Sequence, residues 1–386
     1  MSAPVAVPRM PRDIFGTEHD DFRSATRDFL LAEAVPHTDE WETAGLVDRG
    51  FWKAAAAQGL VGFAVPERWG GLGQRDFRFN AVLNEEVVRT GTVGDNFSLT
   101  NDIVLPYLLD IATEEQNERW LPGVVSGDTV LAVAMSEPGA GSDLRAMRTT
   151  AHRDGAGWRL NGSKTFITNG VQADLVIVAA RLADEAGFGL FVVPSSSEGF
   201  ARGRKLEKVG RRAQDTGELY FSDVRVPDSD VLGEPGKGLH YLMANLAQER
   251  LSMAVVAVAH AEYAVDLAVG YAKERHAFGQ PVGSFQANRF TLATLATRAS
   301  FARSHVDRCL RLHVEGRLTA ADAAAAKFHC TELEFDALDA CLQIHGGYGY
   351  MEEYEIARRW RDARVQRIYG GTNEIMREIV GRSLGL

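Results

Sequence analysis

The stretch Val130-Leu131-Ala132-Val133-Ala134-Met135-Ser136-Glu137-Pro138-Gly139-Ala140-Gly141-Ser142-Asp143 decides how the rest of this chain is read. Its first six residues are a short apolar run, the pattern of a buried strand. The run then breaks into a Gly-rich turn. Backbone N–H groups in such a turn are free to face an acceptor, and small residues let a flat or anionic ligand come close.

The periodicity changes on either side of this stretch. Across residues 17–121 apolar positions recur at helical spacing, as in Phe22, Thr26, Phe29 and Leu30, and again in Phe51, Ala55 and Leu60. Gly70-Gly71-Leu72-Gly73 reads as a loop between helices, and Pro122 with Gly127-Asp128 punctuates the end of the zone. Residues 129–231 carry strand signals instead. Trp158-Arg159-Leu160 leads through Asn161-Gly162 into Lys164-Thr165-Phe166-Ile167-Thr168, which reads as a hairpin. Further strands are expected at 174–180, 188–193 and 218–226. From Gly238 onward the chain is helical and rich in Ala and Leu, with long patterns over 239–275 and 285–315. A third helix opens at a capping box of Thr319 and Asp322, and a fourth follows Tyr354. The fold class is therefore α+β multidomain: an N-terminal helical domain (1–126), a middle β-barrel or sandwich (127–235) and a C-terminal four-helix bundle (236–386).

The totals exclude several classes. A chain of 386 residues with 45% hydrophobic and 24% charged content holds two or three ordinary domains. A net charge of −10 speaks against a nucleic-acid binder. Cys309, Cys330 and Cys341 are odd in number, lie in helical stretches and lack metal-type spacing, so they are expected to be reduced core thiols in a cytoplasmic protein, with no metal site. Residues 1–13 hold no apolar core of a signal peptide, and no apolar run is expected to span a membrane. The basic stretch Arg202, Arg204, Lys205, Lys208, Arg211 and Arg212 is expected to be a solvated face.

Four segments together carry a family likeness. Ala134 through Asp143 matches the first signature of the acyl-CoA dehydrogenases residue for residue. Gln343-Ile344-His345-Gly346-Gly347-Tyr348-Gly349-Tyr350, followed by Glu353, Arg358 and Asp362, resembles the second. Lys164 through Gly170 is similar to the strand that stacks on the flavin. Arg275-His276-Ala277-Phe278-Gly279-Gln280-Pro281 is similar to the segment that reaches the flavin of a neighbouring subunit. The likeness runs the length of the chain and implies FAD bound without a covalent bond, a homotetramer, an acyl-CoA substrate and an electron-transfer flavoprotein as acceptor.

The resemblance also implies roles. Met135 and Ser136 contact the isoalloxazine, and Gly141 and Ser142 border the flavin and the thioester. Phe166 stacks on the ring and Thr168 hydrogen-bonds it. Many family members have Trp at the position of Phe166; Phe keeps the stacking and loses the indole N–H. Arg275, Phe278, Gln286, Gln343 and Gly347 contact the adenosine diphosphate part of a neighbour's FAD, where an Arg fork suits a pyrophosphate. Thr372 and Glu374 lie near the same FAD.

One expected carboxylate is missing. In Ile368-Tyr369-Gly370-Gly371-Thr372-Asn373-Glu374 the family usually has Glu after the Tyr, as the base that removes the α-proton. Gly370 keeps its backbone N–H for the thioester oxygen and is expected to leave room for a carboxylate from elsewhere. That carboxylate is expected to be Glu249, in Gln248-Glu249-Arg250, because the isovaleryl and long-chain branches of the family carry their base on a Glu-Arg pair of that helix. Arg250 orients it or holds the helix, and Tyr369, Gly370, Ser142 and Arg250 border the substrate. Rival readings are an acyl-CoA oxidase, a desulfinase-like enzyme, or a non-catalytic subunit of a hetero-oligomer.

Overall fold

The computed structural model describes residues 7–93 and 97–386; of the N-terminal stretch read for a leader, residues 1–6 lie outside them. The N-terminal domain holds α1 (Thr17–Glu33), α2 (Thr38–Ala44), α3 (Arg49–Ala57), α4 (Phe77–Thr90), α5 (Leu105–Ile111) and α6 (Glu114–Val125). Thr113 and Gln116 cap α6 reciprocally, so two of its free N–H groups are satisfied locally. A π-helical turn, Leu99–Val104, feeds directly into α5. Such turns widen the helix by one residue and are frequent beside functional sites.

The middle domain is one mainly antiparallel sheet of β1 (Leu131–Ala134), β2 (Thr150–Arg153), β3 (Gly157–Thr168), β4 (Leu175–Leu182), β5 (Phe188–Pro194), β6 (Phe200–Lys205), β7 (Thr216–Pro227) and β8 (Val231–Leu232). Its order is β6-β7-β3-β2-β4-β5-β8, with β1 joined to β4 in parallel. The sheet curls so that Trp158, Phe191, Leu219 and Val224 from three strands share one core. Each fully buried aliphatic or aromatic side chain there contributes about 1.5–3 kcal/mol.

The expected hairpin at Asn161-Gly162 is not formed: β3 runs straight through both residues. The register against β7 shifts between Leu160 and Gly162, so the pair is a bulge. Gly162 has φ of +151°, and a Cβ there would meet Thr149 Cα at 2.7 Å. Asn161 Oδ1 accepts the Asp223 N–H at 2.8 Å, which satisfies the donor that the bulge would otherwise strand. The chain reverses earlier, at 154–156, where Asp154 N donates to Gly157 O.

The C-terminal domain is built on α7 (Gly238–Glu274), α8 (Gln286–Val314) and α9 (Ala320–His345). The expected fourth helix is split into α10 (Glu355–Ala363) and α11 (Asn373–Ser383), and the loop between them carries Gly370. α7 is long and apolar enough to cross a membrane by length and composition, against the expectation from sequence. Its apolar positions (Leu251, Val255, Val258, Val265) are instead buried against α8, α9 and α4, which makes it the core helix of the bundle.

The basic stretch is in part a solvated face, with Arg202, Arg204 and Arg212 exposed, and in part a seam. Arg202 donates to Ala173 O at 2.8 Å, Lys205 to Ala44 O at 2.8 Å and Lys208 to Thr216 Oγ1 at 2.9 Å. Arg211 reaches Tyr369 Oη at 3.0 Å and its N–H bonds Asp362, while Arg212 meets Glu352 at 3.3 Å. These contacts tie the sheet to both helical domains and fix the 369–371 loop against it.

Candidate active site

The Gly-rich turn after β1 is propped from below. Lys164 of β3 is fully buried and donates to Met135 O at 2.9 Å and Glu137 Oε1 at 2.8 Å. Glu137 also accepts the Arg148 and Thr149 N–H groups at 2.6 and 3.0 Å. Burial pushes the Lys164 ammonium down to about 8, and Glu137 holds it back against that. Burial would raise Glu137, but the bonds from Lys164, Thr149 and Arg148 outweigh it and leave its carboxyl below the ordinary value. The loop above this pair is open: nothing lies within 4 Å of a Cβ built on Gly139 or Gly141. Ser142 is exposed, and Met135 and Ser136 are half-buried beside it.

Phe166 stands over the same region with 69% of its surface exposed and φ of +60°. The β3–β7 register shifts between Lys164 and Ile167, so a second bulge turns the ring outward. A non-glycine residue held there costs about 1 kcal/mol or more, and an aromatic ring displayed to solvent returns none of it. Thr168, two residues on, is half-buried. A flat aromatic ligand lying on Phe166 and against the open glycines would cover this surface. The residues present therefore fit a flavin ring.

Glu249 lies on α7, only 4% exposed. Tyr107 of α5 donates its phenolic O–H to Glu249 Oε1 at 2.8 Å, and Asn245, one turn earlier on α7, offers Nδ2 to the same oxygen at 3.4 Å. Burial raises the carboxyl to about 7, and the Tyr107 bond, the Arg250 charge and the Asn245 bond offset part of that rise. A base near neutrality is matched to proton abstraction at physiological pH. Met135 packs in the same apolar cluster as Tyr107 and Leu242. Arg250 is buried, its Nε has no partner among the described residues, and burial lowers its pKa.

Gly370 sits opposite α7 with φ of +62°. The space beside it holds the movable end of the Met253 side chain. A Cβ on Gly370 would fall 2.5 Å from Met253 Sδ, one helical turn beyond Glu249. Gly370 is thus fitted to the helix that bears Glu249, with the thioether filling the space a side chain would need. Lys327 of α9 donates to Gly371 O and Asn373 Oδ1, both at 2.9 Å, and anchors the loop. Thr372 caps α11 by accepting the Ile375 N–H at 3.4 Å, Glu374 is exposed, and Tyr369 is half-buried.

The remaining expected ligand residues gather elsewhere. Arg275, Phe278 and Gln286 lie at the C-terminal end of α7 and the start of α8, and Gln343 and Gly347 at the end of α9. The Arg275 guanidinium stands 6.0 Å from the Tyr348 ring, and Phe278 is 96% exposed at φ of +51°. From Glu249 to Glu274 the helix rises roughly 37 Å. Within one chain these residues therefore lie far along α7 from Glu249.

Tyr107, Asn245, Met253, Lys164 and Glu137 were not among the residues singled out from sequence. Asn245 and Met253 were within reach of a spacing argument, at four residues to either side of Glu249 on one helix face. Tyr107 and the Lys164–Glu137 pair depend on tertiary contacts that spacing does not reveal.

A curled sheet joined to two helical domains, with a buried carboxylate on α7 and an open glycine turn after β1, is an architecture that suits a flavin-dependent oxidoreductase. Three family models cover the chain: Acyl-CoA dehydrogenase, N-terminal domain (residues 16–128), middle domain (132–224) and C-terminal domain (236–385). The chain belongs to the acyl-CoA dehydrogenase family and is an FAD-binding oxidoreductase of that family. It is 48% identical to the mitochondrial long-chain specific acyl-CoA dehydrogenase of Sus scrofa over 378 residues, 97% of this chain and 88% of the relative. A crystal structure of acyl-CoA dehydrogenase from Geobacillus kaustophilus matches with a TM-score of 0.95 at 46% identity, over 97% of this chain and all of that one. An acyl-CoA dehydrogenase from Bacillus anthracis complexed with FAD matches with a TM-score of 0.90 at 32% identity, over 97% of this chain and 68% of that one.

Proposed function

We propose that the protein oxidises a saturated acyl-CoA to the trans-2-enoyl thioester, with Glu249 as the base. The observation that carries the reading is the buried Glu249 carboxyl, raised to about 7 and held by the Tyr107 hydroxyl at 2.8 Å. Gly370 keeps its backbone N–H for the thioester oxygen, where negative charge grows as the α-proton leaves. Met135, Ser136, Gly141, Ser142, Phe166 and Thr168 would hold the flavin. FAD, when bound, supplies the acceptor for the β-hydrogen as hydride. The walls formed by α5, the π-helical turn and α7 exclude water from the carboxylate, which keeps its basicity high.

The rise of roughly 37 Å along α7 from Glu249 to Glu274 separates Arg275, Phe278, Gln286, Gln343 and Gly347 from the base, which supports assembly with further copies of the chain, and we propose the homotetramer, with these residues serving a neighbour's flavin. The three buried free thiols suit a reducing compartment, and we propose the cytoplasm. The proposed electron acceptor is an electron-transfer flavoprotein. The likeness to long-chain specific enzymes puts long acyl chains first in testing.

The test is anaerobic titration of the yellow protein with acyl-CoAs of graded length and branching. Bleaching of the flavin with formation of the 2-enoyl product is the expected result. A flavin left oxidised by every saturated acyl-CoA would overturn the reading. Peroxide formed in air at the rate seen with an artificial acceptor would mark an oxidase instead.

A further inference from the structure

We propose that Tyr107 is the positioning residue of the base: its hydroxyl holds Glu249 Oε1 and leaves Oε2 as the oxygen that receives the substrate's α-proton. The inference rests on the assignment of Glu249 as base.

Tyr107 is 1% exposed and lies in the same buried apolar cluster as Leu105, Leu108 and Leu242. Tyr107 sits in the first turn of α5, directly after the π-helical turn. Its hydroxyl lies 2.8 Å from Glu249 Oε1 but 3.5 Å from Leu242 O, so the carboxylate is its acceptor. Asn245 adds a longer bond to Oε1 and is itself held by Ile103 O at 3.0 Å. Both donors therefore act on one oxygen. Oε2 has no hydrogen bond among the described residues, yet it is not one of the sealed polar atoms left without a partner, so it reaches open space. In the reaction the α-C–H bond breaks, its proton forms an O–H bond at Oε2, and the electron pair stays with the substrate.

The charged and titratable groups around Glu249 leave this bond in control. On its own helix Arg250 stabilises the anion by charge alone. From the π-helical turn Asp102 faces Asn80, Asn84 and Ser252, and its backbone O accepts from Gln248 at 2.7 Å; its carboxyl does not reach Glu249. From α9 Lys327 is turned to the Gly371 carbonyl, and from the loop Tyr369 bonds Gln366 and Arg211. Burial and the neighbouring carboxylate hold the Tyr107 phenol far above its ordinary value, so it donates throughout the working pH range.

A donor lost from the anion makes the carboxyl harder to ionise. Tyr107→Phe keeps the ring and removes the bond. In the anaerobic flavin-bleaching rate, its acidic limb should move up by roughly one pH unit, a loss of about tenfold near pH 6 that disappears by about pH 9. Replacing Tyr107 with 3,5-difluorotyrosine gives a stronger donor and should move the limb down. A limb unmoved in either protein, or a loss equal at every pH, overturns the proposal; the fluorinated protein decides the matter if Tyr107→Phe does not fold. Glu249→Gln measured in parallel separates the two readings. Turnover in that variant would refute the base assignment itself, whereas an inactive Gln variant beside unmoved limbs would refute only the role of Tyr107.

Discussion

Gly370 and Met253 face each other so closely that a Cβ on the glycine would lie 2.5 Å from the methionine sulfur. Met253 follows Glu249 by one turn of α7, so the loop that lost a carboxylate is packed onto the helix that bears one. The left-handed φ favours glycine at this position, and a Cβ would also oblige the Met253 thioether to shift. Gly370→Ala should therefore lower stability by about 1–2 kcal/mol. Met253→Ala removes the clash but not the φ strain. In urea denaturation the two changes should be less costly together than their sum, by about 0.5–1 kcal/mol. Strict additivity would show that the thioether does not constrain residue 370.

Glu249 should make the folded protein less stable as pH rises. Its folded carboxyl ionises near 7 because of burial, against an ordinary 4.5, so the native state binds the extra proton between those values. That contribution is complete below about pH 4.5 and is lost as pH passes 7. The difference is of the order of 3 kcal/mol. Glu249→Gln cannot ionise and still offers Tyr107 an oxygen. Its melting temperature should exceed that of the parent at pH 8 and match it near pH 5. An equal offset at both values would contradict the raised carboxyl.

The Lys164–Glu137 pair should matter more to flavin retention than its distance from solvent suggests. Lys164→Met leaves Glu137 buried without its partner and should destabilise the protein by about 3–5 kcal/mol. The loop carrying Met135 loses its prop, so the ratio of flavin to protein absorbance should fall as well. Adding Glu137→Gln should recover part of the stability. Full flavin content in the single variant would show that the loop is held by other means.

Phe166 should behave in the opposite way. Its ring is exposed and its backbone strained, so Phe166→Ala should leave the apoprotein within about 0.5 kcal/mol of the parent. Loss of stacking should weaken FAD binding by about 1 kcal/mol, several-fold in dissociation constant. Equilibrium dialysis with FAD and melting of the apoprotein check the two parts separately.

Much of the fold was legible because periodicity changes abruptly at the two domain junctions. The capping box at Thr319 and Asp322 was read correctly, since it depends on residues three apart. Asn161-Gly162 was misread because the same dipeptide suits a tight turn and a bulge; the choice is made by Asp223, which lies on another strand. The length of α7 was read as 239–275 against the observed Gly238–Glu274, but its apolar content was underrated, and only its packing shows that it is a bundle core. In the site, Glu249 stood out because a missing carboxylate drew attention to a second one. Tyr107 did not, because nothing in residues 105–111 distinguishes a core tyrosine from one whose hydroxyl meets a carboxylate 142 positions away.

The central claim, that the base resides on α7, is tested most directly by the rate of anaerobic flavin bleaching in Glu249→Gln with a saturated acyl-CoA that bleaches the parent. The account predicts full FAD content, unaltered substrate binding and a bleaching rate lower by about 10³-fold or more, since general-base catalysis contributes up to about 10⁴-fold and the buried site offers no substitute. Bleaching within a few-fold of the parent rate would contradict it.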